Sequence, residues 1–219
     1  MRKVFLLCLA AAVGVAPSWS QEGSKPAFWK GKYAVYQFNL GGAVAVGGEA
    51  EGRVIHAGTV WESDYDLYQN PQGVARLELT HMNRNRSVEG PLDIQLLDYR
   101  QGMGWIWDKG GNQATKGPLG PRAAGMTLGT RQILGFTCEG NNYEWTTWQN
   151  ATMQLQSWSA QDTNFRVPLL RVRYVTDSAG VLSALIIQVV TQAERISDLP
   201  ASLFEVPAGL RVVAVRSIE

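Results

Sequence analysis

Gly129-Thr-Arg-Gln-Ile-Leu-Gly-Phe-Thr-Cys-Glu-Gly140, answered later by Leu199-Pro-Ala-Ser-Leu-Phe-Glu-Val-Pro-Ala-Gly-Leu-Arg-Val-Val213, decides how the whole chain reads. The first stretch predicts a strand over 130–139 that leaves through the glycine of Gly140-Asn141-Asn142, because glycine and asparagine supply the positive φ angles of a tight hairpin. The second predicts a short proline-bounded turn and a closing strand over 210–216, since a proline cannot go on donating to a ladder. Neither carries a nucleophile pattern or a metal-ligand spacing. Together they describe a closed β-module without catalytic apparatus.

Outward from there, apolar and polar residues alternate with period two in both directions, and no window holds a 3.6-residue apolar stripe. Strands are expected over 32–40, 53–56, 59–68, 75–82, 94–99 and 103–108, then over 142–149, 153–159, 169–176 and 182–193. The fold class that follows is mainly β, one large curved antiparallel sheet (a half-barrel) with few or very short helices. The hairpin-sized Asp177-Ser178-Ala179-Gly180 adds to the expectation of a meander from residue 130 onward. Residues 109–125, with Pro118, Pro121 and the glycines Gly110, Gly111, Gly117 and Gly120, are expected to form a long flexible connection or lid.

One strand bears on packing. Ala184-Leu-Ile-Ile-Gln-Val-Val190 is apolar on both faces, which implies a central strand covered on its second face as well. The expected cover is the turn Leu203-Phe204-Glu205-Val206-Pro207, inserting Phe204 and Val206. In 169–176, Leu170, Val172 and Tyr174 alternate with Arg171 and Arg173, whose face is expected to meet water.

The chain start sets a compartment. Arg2-Lys3 precedes the apolar run 4–15, and Ser18-Trp19-Ser20 offers small residues before Gln21, the pattern of a cleavable signal peptide. The run is too short to span a bilayer, and no other stretch is long enough. The reading is residues 1–20 as signal peptide and 21–219 as a single domain, periplasmic or secreted. Cys8 follows Leu7 inside the apolar run, a poor context for lipidation. Removing 1–20 takes two of the 20 basic residues and none of the 19 acidic ones. The mature charge of about −1 excludes electrostatic steering to nucleic acid or anionic lipid. Cys138, the one remaining cysteine, cannot close an intramolecular disulfide, so core burial must hold the chain together.

The residues Gly129-Thr130, Ile133, Gly135 and Cys138, then Trp158 and Pro168-Leu169, then Leu203-Phe204-Glu205-Val206-Pro207-Ala208-Gly209 carry a resemblance. Over 126–213 the chain resembles the C-terminal half of a family of exported bacterial proteins of unknown function, related to the outer-membrane lipoprotein carriers and sensors of the LolA-like superfamily. The resemblance implies a half-open barrel whose concave side, in the better-known relatives, accepts acyl chains. Those relatives plug the concavity with helices, whereas this sequence offers no clear helix of ten residues.

Chemistry is otherwise thin. His56 and His81 stand in strand-like surroundings without a second ligand at metal spacing. Cys138 reads as a small buried hydrophobe. The run 41–48 lacks the Lys-Ser/Thr and the helix of a phosphate loop and reads as a hairpin or irregular strand edge. Glu62, Asp64 and Asp66 form an acidic row that reads as solvated, and Asn85-Arg-Ser87 and Asn150-Ala-Thr152 match the glycosylation sequon. No cofactor and no metal is expected.

The remaining asymmetry is aromatic. Met103, Trp105 and Trp107 share one strand face, Tyr143 and Trp145 another, and Trp158 alternates with Gln154 and Gln156. Large rings beside polar partners suit an apolar yet partly wet surface. These six residues are the candidate ligand site, expected to line one concave face. Two functions follow: a non-enzymatic exported module that binds a hydrophobic ligand such as a lipid or acyl chain, or a structural or protein-interaction domain of the cell envelope.

Overall fold

Period-two patterning becomes strand almost wherever it occurs. The computed structural model describes residues 27–40, 44–46, 53–55, 60–83, 94–120, 125–146, 151–161 and 164–216. The leader, Cys8, the Gly41-Gly42 turn, His56, the Asn85 sequon and Asn150 lie outside the described residues. The strands are β1 Phe28–Asn39, β2 Val44–Val46, β3 Arg53–Ile55, β4 Val60–Gln69, β5 Val74–Asn83, β6 Ile94–Asp98, β7 Met103–Trp107 and β8 Gln113–Pro118. They continue as β9 Met126–Ile133, β10 Phe136–Thr146, β11 Thr152–Ala160, β12 Leu170–Thr176, β13 Leu182–Ile196 and β14 Arg211–Ala214. Among the described residues a 3-10 turn at Ala201–Phe204 is the sole helical element.

Twelve strands form one sheet in the order β14-β8-β7-β6-β5-β4-β1-β13-β12-β11-β10-β9, and β2 and β3 pair separately. The sheet consists of two meanders, β4 to β8 and β9 to β13, joined by β1, which pairs with β4 on one side and β13 on the other. Every pairing is antiparallel except at one edge. There β14 lies parallel to β8, with Arg211 opposite Gln113, so the sheet is mixed where alternation alone implied a purely antiparallel one.

Curvature is measured by rings that meet across it. Trp29 of β1 and Phe136 of β10 have ring centroids 5.6 Å apart. Their strands lie four neighbour steps apart in the sheet, about 19 Å on a flat surface at ~4.8 Å per step. The sheet is rolled. Its inner face holds the main core, including Trp29, Tyr33, Leu67, Leu77, Ile106 and Val190.

Four local expectations are corrected. The hairpin joining β9 to β10 turns at Leu134 and Gly135, with φ of 51° and 79°, the two left-handed residues a two-residue loop requires. Gly140-Asn141-Asn142 lies inside β10, paired to β11. Gly140 is glycine because a Cβ there would come within 2.5 Å of the Trp158 ring; close approach, not a turn, demands it. By contrast the Asp177 turn forms as expected, its Oδ1 accepting from the amides of Ala179 and Val181 at 2.9 Å.

The stretch 109–125 contains β8, a paired strand whose Ala114 and Gly117 are buried between neighbours. Small residues that pack under a sheet have the same composition as a loop. The 203–207 turn covers a different region from the one expected. Val206 and Leu210 pack on Ile94, Leu96, Trp107 and Ala114, on the outer face of β6 to β8, and not on β13. Phe204 is half-buried, its ring 6.5 Å from that of Phe28. Finally, Arg171 and Arg173 are 8% and 6% exposed, while Leu170, Val172 and Tyr174 are the half-exposed set. Alternation separates two faces without saying which turns inward. The register does: Arg173 stands opposite Ile186 and Leu155 on the inner face.

Candidate functional site

The rolled sheet has two ends. At the base, where β1 begins, the loop between β11 and β12 crosses the inner face as an extended strap over 164–169. Gln69, fully buried at the end of β4, holds it with both ends of its amide. Its Nε2 donates to the Asn164 carbonyl at 2.6 Å, and its Oε1 accepts from the amides of Arg166 and Val167 at 2.7 and 3.3 Å. The Trp29 indole donates to the same Asn164 carbonyl at 3.1 Å. Backbone that leaves a ladder inside a core must find such partners. Phe165 then meets Trp29 edge-on at 5.1 Å and stacks on Phe136 at 5.5 Å. The concavity is thus plugged at this end by a strap and not by a helix. Sequence reasoning passes over Gln69, although a glutamine in the phase of Tyr65 and Leu67 is the signal.

At the other end, the mouth, β1 finishes at Asn39. The register carries one inner row from Asn39 through Ala184, Val175 and Met153 to Trp145. The next row inward runs Gln37, Ile186, Arg173, Leu155, Tyr143. Trp145 is half-buried against the cluster of Met153, Val175 and Ala184. Tyr143 is half-buried with its ring over Gly125, where a Cβ would come within 2.6 Å. Gln37 Oε1 on the Tyr143 row is a buried acceptor with no hydrogen bond among the described residues.

The six aromatic and methionine candidates do not share a face. Met103, Trp105 and Trp107 lie on the outer face, in rows with Asp98, Leu96 and Ile94. Trp107 is 3% exposed under Val206 and Leu210. The Arg76 guanidinium sits 5.6 Å from the Trp107 ring centre, paired to Glu78 and donating from Nη1 to the Leu203 carbonyl at 3.1 Å. Lys116 lies 5.1 Å from the Trp105 ring centre. Trp158 packs on the main core with Arg131 3.9 Å over its ring. The expectation of one shared concave face is therefore corrected: Tyr143 and Trp145 adjoin each other at the mouth, Met103, Trp105 and Trp107 lie on the outer face, and Trp158 packs on the main core. Alternation places residues on strands correctly but cannot relate the phase of β7 to that of β10, which lie eight steps apart in the sheet.

The polar residues assemble no reactive centre among those described. Cys138 is fully buried; burial pushes its thiol up, against the opposing pull of Arg131. His81 is exposed on β5, so the two are not partners. Glu62, Asp64 and Asp66 lie on the outer face of β4. Asp66 bonds Lys32 at 2.5 Å, and that hydrogen bond with its charge raises the Lys32 ammonium above its ordinary value. No group of three metal-capable side chains occurs among the described residues.

No family model and no curated protein matches the chain. Solved structures do. One is an uncharacterized conserved protein from Thermus thermophilus, 18% identical, with 87% of this chain and 91% of that one covered and a TM-score of 0.41. Another is a LolA superfamily protein from Nitrosomonas europaea, 11% identical, with 84% and 93% covered and a TM-score of 0.36.

Proposed function

We propose that the protein is an exported, non-enzymatic binding module that holds a hydrophobic ligand, such as a lipid or acyl chain, on the mouth end of its inner face. The observation that carries this reading is the contrast between the ends: the chain fills the base with its own strap, whereas Tyr143 and Trp145 remain half-exposed over an apolar row at the mouth. Partly exposed rings beside aliphatic side chains are what a ligand site presents. Gln37 Oε1 on the adjoining row would accept a hydrogen bond from a ligand's polar end. Met103, Trp105, Trp107 and Trp158 serve packing in this reading.

The test is a titration of fatty acid or lipopeptide followed by tryptophan fluorescence. Trp145→Ala should weaken binding about tenfold, the loss of one well-packed aromatic contact, with Trp105→Ala leaving affinity unchanged. No spectral response to any lipid, or equal sensitivity to the two variants, would remove the reading. Export is checked separately by N-terminal sequencing, which should find a start near Gln21. An intact Met1 or a lipid on Cys8 would contradict it.

A further inference from the structure

The outer face of β12, β13 and β1 is apolar and half-exposed. Its central row is Val172, Ile187 and Tyr36, flanked by Leu170 and Val189 on one side, where the row ends at the buried Ala34. Tyr174, Leu185 and Phe38 form the third row. Leu40 and Leu182, 57% and 38% exposed, extend it to the mouth rim. These are the outward side chains of the strand that the sequence marked as apolar on both faces. The segment that covers outer apolar surface elsewhere, with Val206 and Leu210, lies over β6 to β8 instead. Continuous apolar surface of this kind marks an interaction site.

We infer that the occupant is a second copy of this chain, packed face to face about a two-fold axis parallel to β13. The border of the patch selects that arrangement. On one side lies the acidic row of β4, with Glu62 beside Tyr36 and Asp64 beside Ala34. On the other lies β11, with Gln156 beside Val172 and Gln154 beside Tyr174. A two-fold along the strand direction reverses the order of strands across the patch. It sets the acids of one copy over the glutamines of the other, and β1 over β12. A two-fold across the strands would stack acid on acid, which like-charge repulsion disfavours. From β11 to β4 the patch is five strands wide and about six residues long, roughly 24 by 20 Å at ordinary strand spacing and rise. Two such faces cover on the order of 1,000 Å², the lower bound for a specific interface. Aligned sheet-on-sheet packing accommodates this contact.

The experiment is sedimentation velocity on the full chain from ~1 to ~100 μM, a range in which a contact of this size associates by mass action. A monomer–dimer equilibrium is expected. Ile187→Lys at the patch centre should abolish it with little change in melting temperature. The border gives a second readout that leaves the apolar centre intact: Gln156→Lys, facing the partner's acids, should tighten the dimer roughly threefold or more and Gln156→Glu should loosen it to a similar degree. A chain that stays monomeric throughout, a dimer indifferent to Ile187→Lys, or Gln156 variants that shift association in the opposite sense would each overturn the inference.

Discussion

The outer face of the sheet is apolar in two regions, over β6 to β8 and over β12, β13 and β1, and among the described residues the chain covers only the first. Both carry aliphatic and aromatic residues in adjoining rows. Over the first, Val206 and Leu210 descend onto Trp107, Ile94 and Leu96, and Trp107 falls to 3% exposure. Over the second, Val172 and Ile187 remain half-exposed. Pattern alone does not separate them, because a sheet that wants a cover looks the same whether the cover comes from its own chain or from elsewhere. What separates them is where the crossover from β13 to β14 must travel. To reach the far edge beside β8 it passes over β5 and β6, where Arg76 captures the Leu203 carbonyl, so cover and edge pairing arrive together.

The strongest way to break this comparison is Trp107→Ala, expected to cost about 3 to 5 kcal/mol as a large buried ring is lost from a closed cluster. Denaturant midpoints measure it; a loss under ~1 kcal/mol, the range of surface changes, would mean the cover is loose. Gln69→Leu comes next, at about 2 to 4 kcal/mol, because it takes the acceptor from the amides of Arg166 and Val167 and leaves the Asn164 carbonyl with the Trp29 indole alone. Hydrogen exchange at those two amides should accelerate ahead of exchange in β1 and β4.

Phe204→Ala should be milder, about 1 to 2 kcal/mol, since the ring is half-buried and much of its apolar area is already in water. A loss of ~3 kcal/mol or more, typical of a buried ring, would restore the view that this turn closes the main core. The smallest effect is expected at Val172→Thr, within about 0.5 kcal/mol for a substitution on an open face. If it costs as much as Trp107→Ala in dilute solution, the second region is covered from within the chain and the contrast disappears.

Much of this architecture is readable in the residues. Strand phases, the Asp177 turn and the near absence of helix among the described residues all follow from period two and from turn chemistry. Inside and outside do not. Arg171 and Arg173 read as water-facing because charge usually goes there, but only the register with β13 and β11 shows that their row turns inward. The strand β8 is hidden by the glycines and prolines around it. The aromatic candidates are located on the right strands and grouped wrongly, for the reason that alternation is a local signal while the roll of a sheet is set by all twelve strands at once. Gln69 shows what a closer reading would catch: a polar side chain in the apolar phase of a strand marks backbone that needs a partner.

One pairing governs how the molecule can be assembled in time. β1 joins the two meanders, and its ladder to β13 runs from Phe28 with Ile196 to Asn39 with Ala184, the most distant strand pairing in the described chain. Each meander consists of neighbours in sequence and closes quickly; this seam must wait for the largest loop, and late non-local pairing makes folding slow. Until residue 196 is available, the side of β1 that β13 will occupy is a bare strand edge open to any passing chain. A protein built this way stays unfinished until β13 has been made, an order of events that suits the export proposed above, in which the chain crosses a membrane before it folds.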